Sequence, residues 1–129
     1  MDTIIDRYKK INSNINNLNP KKVVNIVAVS KTFTLEKVMP LIEYGHIHFG
    51  ENKVQEAQAK WSEIKLKRKN LKLHMIGKLQ SNKAKSAALL FDYIHSLDSQ
   101  KLADIFSSFE NNNEKKLKYF IQVNIGNEA

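Results

Sequence analysis

VVNIVAVSK (residues 23–31) is the stretch on which the fold turns. From Ile26 to Val29 it is unbroken apolar sequence rich in β-branched residues, with none of the in-and-out alternation of a sheet that faces water on one side. A strand of that kind is covered on both faces, as in parallel sheets flanked by helices. Yet the run stops on Ser30 and Lys31. A buried strand that ends by presenting a primary amine calls for an explanation in chemistry as well as in packing.

The chain around it alternates. Upstream, Ile4, Ile5, Tyr8, Ile11, Ile15 and Leu18 recur at helical spacing and predict an amphipathic helix over 2–18, stopped near Asn19 and Pro20. Downstream, Thr34 can cap a helix carrying Leu35, Val38, Leu41 and Ile42, with Gly45 as its stop. Pro40 inside it predicts a bend or a late start. His46–Phe49 reads as a second strand, and Val54, Ala57, Trp61 and Ile64 as the stripe of the next helix. A third strand is expected over 71–76, a helix from Ser81 through Leu90, and a fourth strand over 91–95. Leu102, Ala103, Ile105, Phe106 and Phe109 line another helix, Asn111–Asn113 make a polar turn, and LKYFIQV (117–123) gives a fifth strand.

Strands separated by helices pair in parallel through right-handed crossovers, so the fold class is α/β. Two architectures remain, an open doubly wound sheet and part of a (β/α)₈ barrel. The first strand runs into AVSKTFT with no glycine-rich phosphate loop, which removes the main support for a dinucleotide-binding open sheet. In either architecture ligands collect at the carboxyl ends of the strands. Those ends present Ser30 and Lys31, then Glu51 and Asn52, then Gly77 and Lys78, then Ser96 and Asp98, and finally Asn124 and Gly126.

Composition narrows the classes. The 129 residues are 42% hydrophobic and 26% charged, a globular balance, and no run approaches the roughly 18 apolar residues of a membrane span. The polar amino terminus lacks a signal-peptide layout, and the absence of cysteine agrees with a reducing compartment, so a cytoplasmic protein is expected. The formal charge of +8 is concentrated between Lys60 and Lys85. No aromatic residues interleave those lysines for base stacking, and no helix-turn-helix or zinc spacing accompanies them, so a solvated face is preferred to a nucleic-acid interface.

Lys31 is the sharpest candidate. Val27, Val29 and Lys31 share one strand face, and an amine rising through an apolar wall to a barrel mouth would be desolvated and nucleophilic, as Schiff-base chemistry with an aldehyde requires. The plain alternative is a lysine that ends its strand in water. His46 and His48, two apart, could ligate a metal, but no third ligand has a defined spacing to them and ordinary packing is preferred. His74 and His95 fit either a satisfied core or a pocket, and no Ser-His-Asp set can be ordered.

Several segments together resemble the YggS/PROSC family, the pyridoxal phosphate homeostasis proteins: IVAVSKT (26–32), HFGENKVQEA (48–57), HMIGKLQSNKAK (74–85), HSLDSQKLA (95–103) and QVNIGNEA (122–129). The resemblance implies a fold type III, alanine racemase-like barrel that binds pyridoxal 5'-phosphate (PLP) as a Schiff base to the lysine of AVSK, here Lys31, with Asn52, His74 and Ser96 near the cofactor. It implies a carrier or regulator in intracellular PLP homeostasis without established turnover, with PLP-dependent apoenzymes as recipients. A racemase-like enzyme and a basic nucleic-acid binder are the alternatives. A complete barrel needs about 250 residues, so residues 1–129 are expected to form a single amino-terminal portion, about five of eight strand-helix units after the 2–18 helix. The later units, which commonly build the phosphate site, would be missing, predicting weak cofactor affinity and self-association through open sheet edges.

Overall fold

The computed structural model describes residues 3–126. The first helix, α1 (Ile4–Asn17), starts where Thr3 and Asp6 exchange side-chain-to-backbone hydrogen bonds in a capping box. Residue 2, the expected start, lies outside the described residues. Four strand-helix units follow: β1 (Ala28–Val29), α2 (Leu35–Tyr44), β2 (His48–Glu51), α3 (Val54–Lys67), β3 (Lys72–Met75), α4 (Ala84–Leu90, entered through a 3₁₀ turn at Ser81–Lys83), β4 (Tyr93–Leu97) and α5 (Gln100–Asn112). A fifth strand, β5 (Lys118–Ile121), completes the described elements.

All neighbouring strands are parallel and their order is β1-β2-β3-β4-β5. Each strand therefore adds to the same edge as the one before it. A doubly wound sheet must reverse its order at a switch point, and this one does not, so the architecture is a five-strand sector of a (β/α)₈ barrel. The registers align Val29, Gly50, His74, Tyr93 and Lys118 in one row across the sheet. The alternate residues Phe49, Leu73, Met75 and Ile94 face the helices and are buried with Trp61, Ala87 and Phe106.

Several boundaries move from their expected places, each for a local reason. The β1 ladder is two residues long, Ala28 and Val29 against Phe49 and Gly50, and Val23 and Val24 upstream remain exposed. His46 stays out of β2 because its backbone N–H closes the end of α2 on the Leu41 carbonyl. Phe91 stays out of β4 because its N–H is bonded to Ala87 in α4. Asn111 and Asn112 prolong α5 instead of turning: the Asn112 and Asn113 carboxamides donate to the Ser108 and Phe109 carbonyls at the end of the helix. The late start expected from Pro40 is not found, since α2 begins at Leu35 and carries the proline inside. Gly45 ends that helix at φ 111°, a left-handed conformation that suits glycine.

Burial differs sharply along the sheet. Ile94 on central β4 is fully buried, whereas Ile121 on edge strand β5 is 76% exposed. Removing one methyl group should therefore cost about 0.5–1.5 kcal/mol for Ile94→Val and less than about 0.5 kcal/mol for Ile121→Val, as read from urea unfolding midpoints.

Candidate functional site at the strand carboxyl ends

The carboxyl end of β1 is held by residues from outside it. Ser30, 3% exposed, donates its hydroxyl to Glu51 Oε2 at 2.5 Å, and the same oxygen accepts from Lys60 Nζ at 2.9 Å and Trp61 Nε1 at 3.0 Å. Lys60 Nζ also donates to the Ser30 carbonyl at 2.5 Å. The Glu51–Lys60 ion pair is almost wholly removed from water, with side chains 1% and 7% exposed. Losing one member of such a pair leaves the other uncompensated and costs about 3–5 kcal/mol. One further bond reaches the turn after Lys31: the Thr32 N–H donates to Glu56 Oε1 at 3.3 Å, with Thr32 at φ 68°.

Lys31 follows directly on this anchored serine. Its side chain is exposed and makes no hydrogen bond or ion pair among the described residues. The described residues thus do not build the desolvated apolar channel expected for it. Val29 on the same face is itself 49% exposed, because no further strand covers that side of β1 in the structure.

The next strand ends complete the rim. Asn52, half-buried, follows Glu51, and Gly77 lies so close that a Cβ there would sit 2.5 Å from the Asn52 carbonyl oxygen. Asn52, Lys53, Gln55, Lys78, Gln80 and Lys83 line a cleft of about 350 Å³ between these two ends. Ser96 lies in the irregularity where β4 shifts register between Ile94 and Leu97; it is 3% exposed, and its hydroxyl finds no partner among the described residues.

His74 sits lower, level with Gly50, in a hydrogen-bonded row of imidazoles. His48 Nδ1 is 2.9 Å from His74 Nε2, and His74 Nδ1 is 2.8 Å from His95 Nε2. Tyr93 stacks on the His74 ring with centroids 4.1 Å apart and planes 6° from parallel. A neutral imidazole donates at one nitrogen and accepts at the other, so neutral His74 can donate to one neighbour while accepting from the other. Burial, then repulsion from His95 and His48, pushes the His74 pKa down to about 4; burial also lowers His48 and His95. The His46–His48 metal pair does not form: His46 Nε2 donates to the His48 carbonyl at 2.7 Å, and no group of three suitable ligands occurs among the described residues.

Three of the residues singled out by sequence, Lys31, Asn52 and Ser96, thus stand at strand ends, while His74 belongs to a row one step below. Glu51, Lys60 and Trp61 were missed as a unit. Their signal was a glutamate closing the strand HFGE next to Phe49 and Gly50, with a Lys-Trp pair nine and ten residues later on the covering helix. Lys60 and also Lys65, which pairs with Asp92 at 2.7 Å, leave the basic cluster for structural work.

The histidine row fixes an acid response. A proton binds His74 more readily in the unfolded chain, at the ordinary 6.5, than in the folded chain at about 4. Its contribution to stability is therefore complete above pH 6.5 and is lost as pH falls toward 4. An NMR titration of the His74 ring should show a midpoint near 4, and His74→Gln should reduce the fall in urea midpoint between those pH values.

The alanine racemase N-terminal domain matches residues 5–128. A pyridoxal phosphate homeostasis protein of Pasteurella multocida is 39% identical over 109 residues, covering 84% of this chain and 47% of that protein. A protein of the same name from Buchnera aphidicola subsp. Baizongia pistaciae is 35% identical over 97% of this chain and 56% of its own length. Among solved structures, PipY of Synechococcus elongatus with PLP bound superimposes with a TM-score of 0.76 at 36% identity, covering 91% of this chain and 56% of PipY. The chain spans about half the length of the curated relatives it matches. By the domain match and by this set of relatives, the chain belongs to the alanine racemase N-terminal domain family and, within it, to the YggS/PROSC pyridoxal phosphate homeostasis proteins.

Proposed function

We propose that residues 1–129 form the amino-terminal portion of a PLP-binding barrel, and that Lys31 is the covalent anchor of a cofactor held for PLP homeostasis. The observation that carries this reading is an unpaired amine at the end of β1, preceded by a serine locked into a buried ion pair. The donor set fits the cofactor: a free amine for an aldehyde, the unengaged Asn52 carboxamide, and the orphaned Ser96 hydroxyl, all at strand ends. When bound, PLP supplies that aldehyde and a conjugated ring. The names of the relatives and the PLP bound to PipY support the same assignment.

The role is that of a carrier delivering PLP to apoenzymes rather than a racemase. Racemization needs a second acid/base across the ring from the lysine. The one tyrosine in the inward row, Tyr93, is stacked on His74 well below the strand ends. A cytoplasmic setting fits this role; no helix among the described residues is long and apolar enough to cross a membrane. Residues 1–129 taken alone should hold PLP weakly, because a barrel phosphate site is commonly built by the last strands of the fold. In residues 1–129 taken alone, the exposed Phe120 and Ile121 on β5 and Val29 on β1 would let copies associate.

Titration of the purified chain with PLP, followed by borohydride trapping and peptide mass spectrometry, should place the pyridoxyl group on Lys31, with half-saturation above the micromolar range. Lys31→Ala should abolish that adduct. Saturation at micromolar PLP would overturn the weakness, and trapping spread over many lysines would overturn the anchor.

A further inference from the structure

The turn that carries Lys31 is held chiefly by α3 rather than by β1. The β1 ladder ends at Val29, and beyond it the Ser30 N–H still reaches the Gly50 carbonyl at 3.0 Å. From there on, the peptide leading into Lys31 has its carbonyl on Lys60 Nζ, and the N–H on its far side, that of Thr32, is bonded to Glu56. Both donor and acceptor come from one face of α3, at i and i+4, where helix geometry brings side chains together. The Ser30 carbonyl also accepts from the Phe33 N–H at 3.2 Å, so one carbonyl is shared between the turn and the helix.

The chemistry of the pair is wasteful unless it does something besides stabilise. Burying a lysine and a glutamate carries a desolvation cost that an apolar pair of similar size would avoid. What an apolar pair cannot do is grip a particular carbonyl. Glu51 neutralises the Lys60 ammonium and aims it, with Ser30 Oγ and Trp61 Nε1 fixing the carboxylate.

From this geometry we infer that Lys60 and Glu51 are positioning residues for Lys31, setting where its amine stands on the rim. The inference rests on the proposed role of Lys31 and deepens it. Lys60 acts through the Ser30 carbonyl, and Glu51 acts through Lys60 and Ser30.

The test compares wild type, Lys60→Met and the double variant Glu51→Gln/Lys60→Met. Lys60→Met alone leaves a buried carboxylate without its cation and should lower the unfolding midpoint. In the double variant the carboxamide that replaces this carboxylate is uncharged and keeps an oxygen for Ser30 and Trp61, so the midpoint should recover while the Ser30 carbonyl stays released. Two readouts follow the turn rather than the fold: hydrogen exchange at the Thr32 amide, and labelling of Lys31 relative to Lys115 by acetic anhydride and by PLP with borohydride. Lys115 is a fitting internal reference, half-buried on the Leu89 carbonyl at 3.0 Å, with its pKa lowered to about 8 by burial and by repulsion from Lys65. The Lys31:Lys115 ratio should change in both variants, for PLP by about tenfold or more, and Thr32 exchange should quicken even where the midpoint has recovered. A recovered double variant with wild-type exchange and wild-type ratios would overturn the positioning role. If anhydride labelling and exchange respond as stated while wild type shows no PLP adduct at Lys31, the positioning role stands and the cofactor reading alone fails.

Discussion

One ammonium group, Lys60 Nζ, lies between a buried carboxylate and a backbone carbonyl, and the carboxyl-terminal rim depends on it. The contact ties Ser30 at the end of β1 to two later, consecutive elements, Glu51 closing β2 and the middle of α3. A parallel ladder two residues long has few backbone hydrogen bonds with which to fix the end of β1. A charge-assisted bond in a site shielded from water is stronger than an ordinary one. The ion pair therefore supplies at β1 the definition that longer ladders give β2 and β3.

The organisation of the fold was legible because its signals are periodic and local. The Val54–Ala57–Trp61 and Leu102–Phe106–Phe109 stripes become buried helix faces, as their spacing implies, whereas of the apolar run before Lys31 only Ala28 and Val29 pair as a strand and Val29 is 49% exposed. What could not be read was the competition for single backbone groups at element ends. Whether the His46 or Phe91 N–H serves a helix end or a strand is decided by a bond to Leu41 or Ala87, which hydropathy does not encode. The candidate site divides in the same way. Lys31, Asn52 and Ser96 follow from their place at strand ends and from family resemblance. The service of Lys60 to Ser30 across 30 residues of sequence appears only in three dimensions. The described residues do not supply the desolvated environment expected for Lys31, because alternation along a strand gives a direction for a side chain, not the presence of an opposite wall.

The two faces of the sheet carry different burdens. The helix-facing side holds the large apolar residues Phe49, Leu73, Met75 and Ile94 against Trp61, Phe91 and Phe106. The other side holds His48, His74, His95, Tyr93 and Lys118, a polar and aromatic surface whose imidazoles satisfy one another. That pairing is what lets three histidines line the inner face without counterions: each neutral ring can offer its neighbour the opposite hydrogen-bonding role. Burial, with repulsion from His95 and His48, is what depresses the pKa of His74, and Asp92 acts in the opposite direction.

Sequential strand order has a consequence for function. In a sheet built by adding each strand beside the last, the groups that fix a strand end come here from its immediate neighbour and from the helix that follows that neighbour. Ser30 and Lys31 are set by β2 and α3, and Asn52 packs against Gly77 beyond β3, so the local geometry of this part of the rim is complete within residues 28–77. What neighbours cannot provide is enclosure. An amine positioned by its own side of the barrel but open to solvent can meet an aldehyde, yet water competes for every polar contact the ligand makes. Anchoring and retention are thus separable in this architecture: the first is a property of adjacent strands, and the second belongs to the closed ring.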